Sequence, residues 1–290
     1  MMLIVMFSQQ SGSCPQGGKR AQRRRKIFFA LCVFIVSAVF ALVLAVAGKH
    51  YVSSPGSKVF TYGKTTIDYS NASEGYVAVK HESCGKGLKV CISTGGKLDT
   101  YDLRDDGTYE YFPLKYGKNT YNVAIFTNVG GNRYANECTK GFYADISDPD
   151  SCYLYPNQSA MYNENSAVVA KAAELCEGKE TDLDKIAAMY NYVRENVKYD
   201  YIFALNVQSG YLPDPDATLA SGKGICYDIA SLLTAMLRSQ GFYTKLVTGN
   251  LNNNVYHAWN KVLVDGKWKM LDATNGSKYK PSAYEEVNTF

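Results

Sequence analysis

Gly222-Lys-Gly-Ile-Cys-Tyr-Asp-Ile-Ala-Ser-Leu-Leu-Thr-Ala-Met-Leu-Arg-Ser-Gln-Gly241 is the stretch that decides how the chain is read. Ile229, Leu232, Leu233, Met236 and Leu237 recur at helical spacing, and Gly241 supplies a left-handed stop. Gly222 and Gly224 allow a sharp turn just ahead, so Cys226 falls in the first turn of the predicted helix. Unpaired N–H groups and the positive end of the helix dipole favour an anion there. Spacing puts Cys226 on the face of Ile229 and Leu233, toward the interior. A buried cysteine usually acts as a small hydrophobe, so the helix alone assigns it no chemistry.

The chain downstream supplies partners. After Gly241 the pattern turns to strands at 242–249, 255–264 and 267–272, the last two joined by Asp265-Gly266, a strong hairpin signal. If Val264 pairs with Lys267, then His257, Trp259 and Asp272 share one sheet face. His257 and Asp272 are then diagonal neighbours, about 7–8 Å apart at the backbone and within hydrogen-bonding reach through their side chains. A thiol nucleophile needs a base for its proton and a third group to orient that base. Cys226, His257 and Asp272 supply the three. Each residue alone has a structural explanation, and their joint appearance at compatible positions favours chemistry.

With Gly224-Ile-Cys226 opening an apolar helix, His257-Ala-Trp259 on a strand and Trp268-Lys-Met-Leu-Asp272-Ala-Thr ending the next, the sequence over roughly 165–280 resembles the transglutaminase-like superfamily. The resemblance implies a papain-like α+β core with Cys226 as nucleophile, His257 as general base and acid, and Asp272 as orienting carboxylate. Members of that superfamily include glutamine cross-linkers, peptidases, deamidases and inactive forms. The implied reaction is acyl transfer from a carboxamide through a Cys226 thioester to an amine or to water. Backbone N–H groups near Cys226 are candidates to hold the oxyanion, with Gln208 as a side-chain candidate. Tyr211, Tyr256 and Trp259 are candidates to wall the substrate cleft.

Upstream, residues 58–147 alternate with period two and carry turn signals at about 8–12-residue spacing, the pattern of an antiparallel, immunoglobulin-like β-sandwich. Residues 148–164 read as a linker to the transglutaminase-like domain at 165–290. Within that domain a helix is expected at 166–176. A second is expected after Thr181, a plausible cap with Asp184 three residues on. Asp214 and Pro215 suggest a further helical turn.

Residues 27–47 hold no charge and are long enough to span a bilayer. Lys19, Arg20, Arg23, Arg24, Arg25 and Lys26 precede them, which predicts a single-pass anchor with a cytoplasmic tail at 1–26 and the remainder outside the cell. The alternative is a cleaved signal at Ala45-Val46-Ala47 and a secreted product. This layout resembles exported transglutaminase-like proteins of Gram-positive bacteria. Because those six charges exceed the whole chain's net of +4, the body is slightly acidic and gives no case for nucleic-acid binding. Outside the cell, local disulfides are open to Cys84, Cys91, Cys138 and Cys152. No cysteine spacing matches a zinc finger or ribbon, no acidic cluster has metal-ligand spacing, and neither metal nor cofactor is expected. The expected activity is a thiol acyltransferase or hydrolase on protein or peptide amides, cell-wall peptides among them. The competing reading is a non-catalytic surface-binding or scaffold protein.

Overall fold

The computed structural model describes residues 50–252 and 254–290. The expected tail and the apolar run 27–47 lie outside the described residues, among which no helix is long and apolar enough to cross a membrane.

Residues 59–144 form β1 (Val59–Tyr62), β2 (Thr65–Asp68), β3 (Tyr76–His81), β4 (Leu88–Thr94), β5 (Lys97–Leu103), β6 (Glu110–Pro113), β7 (Asn119–Gly130) and β8 (Arg133–Ala144). They pair antiparallel as two four-stranded sheets, in the orders β1-β2-β3-β6 and β5-β4-β7-β8. Period-two alternation sends Leu88, Val90 and Ile92 of β4 and Tyr121, Val123 and Ile125 of β7 inward. There they meet Ile67, Val79 and Phe112 of the other sheet in one apolar core. The long strand β8 pairs with β7 through two register shifts. The short edge strand β1 buries no residue fully, so the chain carries no alternating signal for it.

The stretch expected to be a linker is packed. Tyr162 is buried, and the Ser159 and Tyr155 carbonyls accept hydrogen bonds from Ser231 and Arg238. All six described cysteines, including the four considered for local disulfides, are free.

The remainder forms α1 (Ala167–Cys176), α2 (Asp182–Asn196), β9 (Lys198–Tyr199), α3 (Tyr201–Asn206), α4 (Pro215–Ser221), β10 (Lys223–Gly224), α5 (Cys226–Ser239), β11 (Thr244–Leu251), β12 (Tyr256–Val264), β13 (Lys267–Leu271) and β14 (Tyr284–Thr289). Thr181 caps α2 by accepting the Asp184 N–H, and Asp214 caps α4 through the Ala217 N–H. Strands β11 to β14 make an antiparallel sheet in the order β13-β12-β11-β14. Helix α5 is buried along nearly its whole length, covered by α1 and α2 on one flank and by β11 and β12 on the other. An element enclosed on every side is largely apolar, and any polar group it carries needs a partner. Its polar members are bonded: Thr234 donates to the Ala230 carbonyl, and the Arg238 guanidinium donates to the carbonyls of Thr244, Tyr155 and Phe290.

Candidate active site

The N-terminus of α5 is built by glycine and one aspartate. Gly222 has φ 60°, in the left-handed region, and ends α4. At Gly224 an added Cβ would stand 2.5 Å from the Asp228 Cβ, so only glycine admits the aspartate. Asp228 then accepts the Ile225 N–H at 2.8 Å, satisfying a helix-end donor and fixing the backbone that carries Cys226. Tyr211 donates its hydroxyl to the other Asp228 oxygen at 2.6 Å. Burial, the largest influence, raises the Asp228 carboxyl above its ordinary range, although both hydrogen bonds favour the anion.

Asp265 and Gly266 both take positive φ, 50° and 70°, the geometry that joins β12 to β13 with Val264 opposite Lys267. Nε2 of His257 lies 2.8 Å from Oδ2 of Asp272 and both residues are buried. This bond leaves Nδ1 as the other imidazole nitrogen, and Cys226 lies close enough to the His257 ring to favour its charged form. Burial, the largest influence on His257, disfavours its charge. Hydrogen bonds and charge from Asp272 and Cys226 outweigh it, and the imidazole is raised to about 9. Asp272 is held below its ordinary value. Burial again opposes the charge, but His257, the Asn275 N–H and the Tyr284 hydroxyl prevail.

Asp272 is fixed from several directions. Its Oδ1 accepts the backbone N–H groups of Thr274 and Asn275, both at 2.9 Å, and its Oδ2 accepts the Tyr284 hydroxyl at 2.7 Å and the Asn275 amide at 3.2 Å. Trp259 is 1% exposed and lies nearly parallel to the His257 ring, with centroids 6.1 Å apart. It supports the imidazole from below and presents no surface to a cleft, so its expected place as a wall is corrected. Tyr256 is exposed beside His257.

Gln208 does not fill the place expected of it. It is exposed, and its amide donates to the Asn206 carbonyl at 2.9 Å. A residue that packs against the cluster holding Cys226 is Tyr199. The parallel bridge of β9 to β10, Tyr199 opposite Gly224, holds it there. Burial and the neighbouring Cys226 raise the Tyr199 phenol, keeping it a neutral donor. Tyr199 and Tyr284 both escaped the sequence reading. Directly after Tyr199, α3 exposes Tyr201, Ile202 and Leu205 almost completely. A separate cavity of about 440 Å³, lined by Tyr109, Tyr111, Met161, Leu212 and Pro213 among others, contains none of the thiol, imidazole or carboxylate groups.

A cysteine at a buried helix start, an imidazole on the adjoining antiparallel sheet and a carboxylate bonded to it are the three groups that thiol chemistry requires, carried on an α+β core. Residues 169–273 match the family model for the transglutaminase-like superfamily. The chain is 24% identical over 149 residues to the human (Homo sapiens) kyphoscoliosis peptidase, a match covering 48% of this chain and 22% of the relative. With cytokinesis protein 3 of Schizosaccharomyces pombe it shares 25% identity over 125 residues, 40% of this chain and 14% of that one. The matches thus span less than a quarter of those relatives' own length. Among solved structures, a Cytophaga hutchinsonii protein provisionally described as a cysteine protease aligns over 80% of this chain and 84% of its own, with 13% identity and a TM-score of 0.44. Red sea bream transglutaminase aligns over 73% and 49%, with 11% identity and a TM-score of 0.30.

Proposed function

We propose that the protein is a cysteine-dependent acyl-transfer enzyme acting on protein or peptide carboxamides. The observation that carries this reading is His257, bonded through Nε2 to Asp272 and close enough to Cys226, at the start of α5, for the cysteine to favour its charged form. Cys226 attacks the carboxamide carbon, and the carbonyl oxygen becomes an oxyanion held by the Cys226 N–H and the Tyr199 hydroxyl. His257 passes its proton to the leaving nitrogen, which departs as an amine or ammonia and leaves a thioester. Water or a second amine then attacks that thioester, with His257 as base, and the thiol is restored. Asp272 orients the ring and supports its charged form throughout.

Tyr201, Ile202 and Leu205 of α3, which follows Tyr199 directly, and Tyr256, which precedes His257, are exposed, which suits a polypeptide substrate with bulky side chains next to the reactive amide. The named peptidase and transglutaminase relatives are consistent with such a substrate. We also propose that residues 27–47 anchor the chain, that the transglutaminase-like part lies outside the cytoplasm within reach of cell-wall peptides, and that the two β-sheets serve as an immunoglobulin-like spacer between them. Protease added to intact cells should then digest the β-sheet region, and digestion only after lysis would reverse that topology.

The activity is tested by offering the protein and its Cys226→Ala variant a glutamine-rich protein with a fluorescent amine. Amine incorporation, ammonia release and peptide cleavage are followed together. Cys226-dependent incorporation signifies transfer, ammonia alone deamidation, and new termini proteolysis. No Cys226-dependent product across broad substrates, with no alkylation of Cys226 by iodoacetamide at mildly acidic pH, would leave the binding or scaffold role in its place.

A further inference from the structure

We infer a second site, for a divalent transition metal of the zinc class, at one end of the two β-sheets, made by His81, Cys84 and Asp105. His81 ends β3, Cys84 follows in the β3–β4 loop, and Asp105 comes from the β5–β6 loop. One ligand atom of each lies within 4.8 Å of the other two. Zinc bonds of about 2.0–2.3 Å at tetrahedral angles put donors roughly 3.3–3.8 Å apart. His81 Nδ1 already stands 3.3 Å from Asp105 Oδ1, so a modest inward shift of Cys84 closes the set. A thiolate, an imidazole and one carboxylate are the donors that zinc and cobalt(II) take.

The support around these donors is what points to a metal. A metal-bound histidine typically gives its second ring N–H to a carboxylate, which fixes the tautomer. His81 is 2% exposed, and its Nε2 faces Glu137 Oε2 at 3.4 Å. Glu137 is itself held by the hydroxyls of Thr65, at 3.1 Å, and Thr127, at 2.7 Å. With the proton on Nε2, the Nδ1 lone pair is directed toward Asp105 and Cys84. Asp105 accepts the Cys84 N–H at 2.8 Å and the Gly85 N–H at 2.6 Å, so the carboxylate also sets the loop that carries the thiol. Two carboxylates flank one buried imidazole here, an excess of negative charge that a divalent cation offsets. On binding, the Cys84 sulfur gives its proton to water and forms the metal–sulfur bond, while Nδ1 and one Asp105 oxygen fill two further positions and solvent the fourth. The ion would tie a β3 end to loops of the facing sheet, far in sequence from the Cys226 chemistry.

The test uses the full chain in detergent, stripped with chelator and titrated with cobalt(II), then with zinc. One equivalent of cobalt should give tetrahedral visible bands with a sulfur-to-cobalt charge-transfer band, and zinc should displace it and raise the melting temperature. Cys84→Ser should abolish the charge-transfer band, whereas Cys226→Ser and Cys91→Ser should retain it. Asp105→Asn should weaken binding at least tenfold, and Glu137→Gln, which alters the support of His81 and keeps every ligand, by about 10–100-fold. Circular dichroism identifies any variant that fails to fold, and Glu137→Gln then still decides the question because it keeps every ligand. Absence of a stoichiometric charge-transfer band in the wild-type chain, or its persistence in folded Cys84→Ser, overturns the inference.

Discussion

At the scale of single residues, the site is governed by which hydrogen bonds hold which charges. His257 is raised from 6.5 to about 9, so its protonated form contributes stability in full below pH 6.5 and loses that contribution as pH rises through about 9. The same titration removes the proton that the leaving nitrogen needs. Acyl transfer should therefore show an alkaline limb near pH 9, while iodoacetamide alkylation, which needs only the thiolate, should not decline there. A transfer limb near 6.5 would mean that the imidazole is not paired in solution as it is here. Asp272 works in the opposite sense, its contribution being lost as pH falls through its depressed value. Tyr199 tests the oxyanion assignment. Tyr199→Phe keeps the ring and removes the donor, and kcat should fall by about 10²–10³ with KM nearly constant and Cys226 still alkylated. A rise in KM alone would make Tyr199 a contact for substrate instead.

Elements bring these residues together, and they explain which were legible in the sequence. The Asp265-Gly266 turn fixes the parity of two strands, and parity alone places His257 and Asp272 on one face, so that pair could be read from the chain. The start of α5 was equally legible from Gly222, Gly224 and the apolar spacing. Tyr284 was not, because β14 leaves four of its six residues exposed, buries none fully and lacks an alternating apolar face. Tyr199 was hidden in a two-residue strand whose partner, Lys223-Gly224, shows no β-pattern. Gln208 follows the short helix α3, where its amide turns back to the Asn206 carbonyl and the side chain faces solvent. Strand β14 reaches the site through a glycine. A Cβ on Gly249 would lie 1.9 Å from the Glu285 carbonyl oxygen, at the point where the β11–β14 register shifts. Gly249→Ala should push β14 away and draw the Tyr284 hydroxyl off Asp272. Tyr284→Phe should cost about 1.5–3 kcal/mol in urea unfolding, as expected for a hydrogen bond to a charged group. Gly249→Ala should cost more, and the double variant less than the sum, since one bond is lost in both. Strict additivity would show that β14 does not act on the site through Tyr284.

Across the whole described structure, Phe290 is one residue that joins the two β-sheets to the thiol-bearing part. The Phe290 ring packs against the core between the sheets and also against the small cluster of Cys226, Ala230, Leu246 and Ala258. Its backbone pairs with Leu246, and its carbonyl also accepts the buried Arg238 guanidinium at 2.7 Å. Lys115, from the loop after β6, donates to the Thr289 carbonyl at 3.0 Å and pairs with Asp99 at 2.6 Å. Apolar area and fixed polar bonds across the same junction argue for unfolding in one cooperative step, because neither part can open without exposing the other's flank. Calorimetry of the described region in the native chain should show a single transition. Phe290→Ala removes the shared ring while leaving the Arg238 bond to the backbone carbonyl. Since the ring is only partly buried, its loss should cost less than the about 3–5 kcal/mol of a fully enclosed Phe→Ala. The informative readout is the shape of the transition. Two resolved steps in the variant, with the thiol site melting apart from the β-sheets, would identify Phe290 as the coupling residue. An undivided transition shifted to lower temperature would mean that Arg238, Lys115 and the packed stretch 148–164 suffice to couple them.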